Sequence, residues 1–230
     1  MKVYEIKLKV YLLANITSEK ATQAICQLID KSFTNTDEMK SFHEKRQFKF
    51  YCFNSFYPLE EKKVYLEGKI YTVVIRTIDP KLAEHFKTYL TNTYTDKLKA
   101  LTAEVKIIPK KHIQKLYSIT SCIARFDGSY WRNKVSIDEY EKRFKLNLMK
   151  KYAEFTGKNL GEDIELFTHF SFQNQKPIAM QMKNVKLLGD KISLEIAEND
   201  TAQKLAYMAL GTGFSELNSR GAGFVNYKYL

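Results

Sequence analysis

The chain begins with a regular alternation of apolar and polar residues, which then gives way to helical spacing. Residues 2–13 carry apolar side chains at every even position from 4 to 12, and this pattern predicts a half-buried strand. Thr17 and Ser18 then provide a candidate N-cap, and apolar residues recur at helical spacing as far as about Phe33. The first two predicted elements are therefore a strand and a helix.

The rest of the first half predicts further strands and a second helix. A strand is predicted over residues 48–57, and a hairpin that turns at a glycine is predicted over residues 64–75. Asp79 and Pro80 have the residue types of an N-cap and a first helical position, so a helix is expected to start there. A strand over residues 101–109 completes the order β-α-β-β-α-β, with one added hairpin strand.

The second half repeats this order of elements without visible sequence identity to the first. Ser136 and Glu139 form a capping box that predicts a helix ending at Gly157. A shorter helix is predicted over residues 201–210. Strands are predicted over residues 115–124, 164–172, 177–188, 191–197 and 223–230.

Two such sets of elements predict an α+β fold of two tandem ferredoxin-like (RRM-like) domains, each βαββαβ with an antiparallel sheet. The predicted boundary lies near Pro109 and Lys111. It gives an N-terminal domain of residues 1–110 and a C-terminal domain of residues 111–230. A single split α/β domain is the competing interpretation.

The charge of the chain narrows the class of partner. Its 230 residues include 37 Lys and Arg against 26 Asp and Glu, a formal net charge of +11, which favours nucleic acid or a membrane surface. No acidic residue occurs between Glu44 and Glu60 or between Glu104 and Asp127, and aromatic residues interleave one of these basic segments, which favours nucleic acid. No stretch approaches the ~18 apolar residues of a membrane span. The N-terminus also lacks the apolar core of a signal peptide.

The cysteine pattern favours a reducing compartment. Cys26, Cys52 and Cys122 are few, odd in number and widely spaced. A cytoplasmic protein without a cysteine-based zinc site is therefore expected. His, Asp and Glu residues also lack convincing metal-ligand spacing, so neither a metal nor another cofactor is expected.

Four of the nine glycines fall between residues 211 and 223. A helix is predicted before this segment and a strand after it, which is the reverse of a dinucleotide-binding loop, and no Walker loop is present. A helix C-cap with a tight entry into an edge strand explains two of the glycines. A backbone that approaches a ligand closely would explain all four, and the polar centre supplies N–H groups and a guanidinium suited to phosphate. The predicted RNA-binding residues of this glycine-rich segment are Gly211, Gly213, Asn218, Ser219, Arg220, Gly221 and Gly223.

Two segments resemble known RNA-processing proteins. Tandem ferredoxin-like domains with the C-terminal segment GTGFSELNSRGAGFV resemble the repeat-associated RNA-binding superfamily of CRISPR proteins. The segment SFHEKRQFKFYCFNSF, residues 41–56, resembles the catalytic segment of the "Cas six" endoribonucleases, in which a Lys follows a His by six residues. His43 and Lys49 stand at this spacing. Well-known members also carry a helical Tyr, and near its position this chain has Asp30.

The resemblance implies a metal-independent endoribonuclease that cleaves CRISPR repeat RNA in the precursor transcript to give mature guide RNA. The 2′-OH would attack the neighbouring phosphate, with His43 as general acid or base and Lys49 as the cation beside the phosphorane, and the product would carry a cyclic phosphate. Lys45 and Arg46 would contact the RNA backbone. Expected partners are the repeat RNA and other subunits of a CRISPR effector complex, with the protein itself a monomer or homodimer.

Other interpretations remain open at this point. The chain could be a non-catalytic RNA-binding subunit of a CRISPR ribonucleoprotein complex. It could also be a basic membrane-surface protein, although no predicted helix has an exposed apolar face beside a Lys/Arg-rich polar side. Strand alternation would put Lys49 on the same face as Tyr51 and Phe53, whose rings could stack on bases. His85 is interpreted as a boundary residue of an apolar helix stripe, and His112 as a residue of the basic inter-domain run. His169 is interpreted as a strand residue that could equally belong to the core.

Overall fold

The computed structural model describes residues 1–161, 164–182 and 185–230. Its first half alternates strands and helices, with short 3₁₀ turns at 33–35 and 90–92. The strands are β1 (Val3–Leu12), β2 (Ile16–Thr17), β3 (Tyr51–Phe53), β4 (Val64–Tyr65), β5 (Ile70–Thr77) and β6 (Leu98–Ile108). The helices are α1 (Ser18–Ser32), α2 (Asp37–Glu44) and α3 (Pro80–Thr88).

Four of these strands form one antiparallel sheet in the order β3-β5-β1-β6. This is the strand order of a ferredoxin-like βαββαβ unit. The apolar stripe of α1, including Ile25 and Ile29, is buried in one core with Ile6 and Leu8 of β1. The helix therefore covers one face of the sheet and carries its polar residues outward.

The second half contains strands β7 (Ile113–Ser118), β8 (Arg125–Phe126), β9 (Ser129–Tyr130), β10 (Phe167–Phe172), β11 (Ile178–Met182), β12 (Val185–Gly189), β13 (Ile192–Ile196) and β14 (Val225–Tyr229). Its helices are α4 (Ile137–Thr156) and α5 (Asp200–Thr212). A short 3₁₀ turn spans Asn218–Arg220 within the glycine-rich segment.

The main sheet of this half has the order β10-β13-β7-β14, which repeats the topology of the first sheet. The predicted capping box opens α4, since Ser136 and Glu139 exchange both hydrogen bonds, and Gly157 ends the helix in the left-handed conformation. The α+β fold with two tandem ferredoxin-like units is thus confirmed. Within the described residues, no helix is long and apolar enough to cross a membrane.

Two predicted strand arrangements are wrong, and the free sheet edges explain why. β4 pairs with β2 rather than with β5, because β5 already has β1 and β3 on its two edges. The segment predicted as one strand over residues 177–188 is instead the hairpin β11–β12. β13 is flanked by β10 and β7, so this segment has no edge of the main sheet to join. Lys183 and Asn184, which the predicted strand included, lie outside the described residues.

Buried polar contacts connect the two halves. Arg76 of β5 donates hydrogen bonds to Glu5 at 2.8 Å and to the carbonyl of Val225 in β14 at 2.6 Å. The hydroxyl of Tyr207 on α5 donates to the carbonyl of Ile108 at 2.6 Å. α5 consequently packs against the first sheet, and the glycine-rich segment that follows it lies beside β3 and α1.

Candidate active site

His43 lies in the last turn of α2, a helix that sequence reasoning missed. The Thr36 side chain caps this helix by accepting a hydrogen bond from the Met39 amide at 3.3 Å. Threonine followed by two acidic residues is an N-cap signal that could have predicted the helix. The imidazole stacks on Phe33, with ring centroids 5.5 Å apart, and about a third of the side chain is exposed, at 32%.

Asp30 of α1 is the acidic neighbour of His43. Its Oδ1 atom lies 3.7 Å from Nδ1 of His43. Its Oδ2 atom accepts a hydrogen bond from the guanidinium of Arg220, which belongs to the glycine-rich segment of the other half. The residue near the predicted position of the family's helical Tyr is therefore a carboxylate that links His43 to Arg220.

Further contacts hold the glycine-rich segment against α1 and β3. The same Arg220 nitrogen lies 2.9 Å from Sγ of Cys26, and the Tyr51 hydroxyl donates to the Ser219 carbonyl at 3.4 Å. Burial, assisted by the charge of Asp30, raises the pKa of the Cys26 thiol to about 11. The thiol is therefore protonated at neutral pH and is not a candidate nucleophile.

Lys49 closes the C-terminal end of the helix that carries His43. Its ammonium donates hydrogen bonds to the carbonyls of Phe42, of His43 at 3.0 Å and of Lys45 at 2.8 Å. Helix ends leave such carbonyls without intrahelical partners, so the contact stabilises α2. Burial, and then the charge of Arg220, lower the pKa of Lys49, while Asp30 opposes the shift.

The expectation that Tyr51 and Phe53 stack on bases is wrong. Both rings are buried, and β3 spans only residues 51–53. Phe50 has a positive φ of 51°, which interrupts the alternation predicted for residues 48–57. Lys49 therefore lies before the strand, and its position is set by the end of α2.

Contacts within the protein account for the close approaches of the glycines. Gly211 lies in the last turn of α5, where an added Cβ would meet Ile78 at 2.7 Å. Gly221 has a φ of +92°, and a Cβ there would meet Thr22 at 2.2 Å and Phe53 at 2.9 Å. Gly213 and Gly223 also have positive φ values, of 71° and 64°. Contact of these glycines with RNA stays a prediction.

Lys151 of α4 is a residue that sequence reasoning missed. Its buried ammonium donates to the carbonyls of Gly213 at 3.0 Å and Ser215 at 3.1 Å, and to Oδ1 of Asn218 at 2.6 Å. The Asn218 amide in turn donates to the carbonyls of Phe214 and Ala222. Burial lowers the pKa of Lys151 to about 7. A lysine in a lysine-rich helix has no sequence signal for such a role.

A groove lies between the two halves beside this segment. It encloses about 530 Å³. Its lining includes basic residues from both halves together with a residue of the glycine-rich segment: Arg46, Lys49, Arg125, Lys151 and Ser219. Lys45 and Arg46 are exposed. Such a surface suits a phosphodiester backbone, because cations that neutralise phosphates release counterions.

The other histidines have different surroundings. His85 is buried and lies 3.1 Å from the Ser32 hydroxyl, while His112 and His169 are exposed. No ion pair to a carboxylate is described for these three, whereas His43 has one. Within the described ranges, no cluster of three or more His, Cys, Asp or Glu side chains could hold a metal ion.

Comparisons with known proteins agree with this fold. Residues 118–227 match the family model described as CRISPR associated protein Cas6, C-terminal. A solved structure named CRISPR associated protein Cas6 is 20% identical with a TM-score of 0.66, and the match covers 98% of this chain and 99% of that one. An RAMP protein binding different RNA substrates is 14% identical with a TM-score of 0.71, over 98% of this chain and 99% of the other.

A Cas6 product complex is also similar, at 14% identity and a TM-score of 0.66, over 99% of both chains. Among curated protein sequences, none matches this chain. At these identities, the structural similarities show the fold.

Proposed function

We propose that this chain, whose residues 118–227 match the C-terminal family model of the CRISPR-associated protein Cas6, is an endoribonuclease of that family that cleaves CRISPR repeat RNA. The observation that carries this proposal is the position of His43 beside Asp30, which also binds Arg220. Lys49, whose ammonium binds the His43 carbonyl, lines the groove between the two halves. The product and RNA-binding complexes among the similar structures support the same substrate class.

His43 is the proposed proton-transfer group. The 2′-oxygen attacks the adjacent phosphorus, a P–O2′ bond forms and the P–O5′ bond breaks, so the 2′ proton must leave and the 5′-oxygen must gain one. An imidazole can act as base or acid in this exchange near neutral pH. The product would end in a 2′,3′-cyclic phosphate, and no metal ion is required.

Lys49 has a proposed electrostatic role at the same site. Its ammonium would stabilise the negative charge that develops on the phosphorane. Because all three of its donors bind carbonyls around the end of α2, it would exchange one of these bonds for a phosphate oxygen when RNA binds. Burial, and then the charge of Arg220, lower the pKa of this ammonium group.

The remaining site residues are proposed to bind RNA. Lys45 and Arg46, both exposed, would contact phosphates, and Arg46 lines the groove. In the glycine-rich segment, the proposed contacts come from Gly211, Gly213, Asn218, Ser219, Arg220, Gly221 and Gly223. The Asn218 side chain already has protein partners, so its contribution to RNA binding would come from the backbone. In this proposal the N-terminal domain, residues 1–110, carries the cleavage site, and the C-terminal domain, residues 111–230, carries the glycine-rich segment. The protein would act on repeat RNA in the cytoplasm.

Incubation with end-labelled CRISPR repeat RNA in the presence of EDTA tests this proposal. We expect a single cut within the repeat, with a cyclic phosphate or its 3′-phosphate on the upstream product. Cleavage that EDTA abolishes would contradict the metal-independent mechanism. RNA binding without any cleavage would support the alternative, a non-catalytic RNA-binding subunit. This alternative is favoured by the contacts of Lys49, because its three ammonium donors already bind carbonyls of the protein.

A further inference from the structure

The two carboxylate oxygens of Asp30 have different surroundings. Oδ2 is bound by Arg220. Oδ1 is shielded from solvent, has no hydrogen-bond partner in the part of the chain that the structure describes, and lies 3.7 Å from Nδ1 of His43. Leaving a buried acceptor unpaired is costly. A small rotation of the imidazole would bring Nδ1 within hydrogen-bond distance, and catalytic hydrogen bonds are often long until substrate binds.

We propose that Asp30 is the positioning residue of His43, and that Arg220 of the glycine-rich segment holds Asp30 in that role. The inference rests on the proposed function and extends it. When Oδ1 accepts the Nδ1 hydrogen of His43, the nitrogen that exchanges a proton with RNA is Nε2. A carboxylate that orients an imidazole in this way fixes its tautomer without itself being protonated.

Arg220 determines which carboxylate oxygen of Asp30 faces His43. A guanidinium only donates hydrogen bonds, so the atom of residue 30 that faces Arg220 must be an acceptor. The other carboxylate oxygen is then directed towards His43. Because Arg220 comes from the second half of the chain and His43 from the first, docking of the glycine-rich segment contributes to cleavage as well as to binding.

The substitution Asp30→Asn gives a specific test through this geometry. The amide oxygen of the new side chain would face Arg220, and its NH₂ group would face Nδ1 of His43. Nδ1 would then have to accept, so His43 should change from the Nδ1–H to the Nε2–H tautomer. The ¹⁵N NMR shifts of the imidazole report this difference directly, and the spectrum of His43→Ala assigns the signals.

Asp30→Ala provides a second variant, because it removes the acceptor and introduces no donor. We expect its His43 to move from Nδ1–H towards Nε2–H, the form that solvent-exposed imidazole prefers. If His43 kept the same tautomer in the wild type and in both variants, the positioning role would be overturned. A merely structural role of Asp30 would leave the tautomer unchanged.

The activity prediction is separate from the NMR result. Asp30→Asn should lower the single-turnover cleavage rate at least about tenfold, a smaller loss than the 10²–10⁴-fold contribution of the general acid–base group itself, with RNA affinity retained. Glu38→Gln is the matched control, since Glu38 lies on the same helix as His43 but forms an exposed ion pair with Lys81. Equal rates for Asp30→Asn and Glu38→Gln would overturn the proposal. Absence of cleavage by the wild type would refute the proposed function instead, while the tautomer measurement would still decide the geometry.

Discussion

His85 is a buried imidazole whose titration should make the protein sensitive to acid. It stacks between Phe33 and Tyr89, with ring centroids 5.1 and 5.2 Å away, and its Nε2 atom lies 3.1 Å from the Ser32 hydroxyl. Burial lowers the pKa of His85 from 6.5 to about 4, because the charged form would lose its hydration. In the unfolded chain the same imidazole titrates near 6.5.

The magnitude follows from the difference between the two states. Between pH 6.5 and about 4 the unfolded chain binds a proton at residue 85 that the folded protein excludes, so the free energy of unfolding falls as the pH falls. The limiting slope is about 1.4 kcal/mol per pH unit, and the total loss is about 3 kcal/mol. Above pH 6.5 both states are neutral at this position, and the effect is absent.

The substitution His85→Phe removes this titration while keeping an aromatic ring between Phe33 and Tyr89. The Ser32 hydroxyl keeps its bond to the Ile29 carbonyl. Urea unfolding at several pH values measures the free energy of unfolding. Between pH 6.5 and 4 this free energy should fall by about 3 kcal/mol more in the wild type than in the variant. His169→Phe, at an exposed position, should behave like the wild type. Parallel pH profiles for the wild type and His85→Phe would refute the reasoning.

Three further substitutions test the packing by urea unfolding. Arg76→Met should lower the free energy of unfolding by about 3–5 kcal/mol, because it breaks the buried ion pair with Glu5 and the hydrogen bonds of Arg76 to β14. A loss below about 1 kcal/mol, the range of exposed ion pairs, would contradict this. Gly221→Ala should cost more than Gly128→Ala, since both have positive φ but only the first would place its Cβ against other atoms; equal losses would refute the packing argument. Lys151→Met should cost at least about 2 kcal/mol, because it leaves buried acceptors unpaired, whereas the exposed neighbour Lys150→Met should have little effect.

Local signals explain why much of the fold could be predicted from the sequence. The helix starts at Asp79 and Ser136 are confirmed, because a cap acts within three residues of its own position. The strand partners of β4 and β12 could not be predicted, because pairing depends on which sheet edges are free after the main sheets form. α2 was missed because it has only eight residues and little apolar periodicity.

The candidate site was only partly accessible to sequence reasoning. His43 could be selected only because its spacing to Lys49 resembles the catalytic segment of a known family. The ammonium of Lys49 binds carbonyls at the end of α2, a helix that the predicted strand alternation did not indicate. Asp30 and Arg220 stand 190 residues apart, and no local pattern connects them. Lys151 is likewise recognisable only once α4 is packed against the glycine-rich segment.

The central claim is that His43 transfers the proton during cleavage of repeat RNA. Single-turnover cleavage by His43→Ala, compared with the wild type and with the exposed control His169→Ala, tests it most directly. The account predicts a loss of about 10²–10⁴-fold for His43→Ala, with RNA affinity unchanged and His169→Ala fully active. A His43→Ala variant that binds the repeat and cleaves it at the wild-type rate would contradict the account.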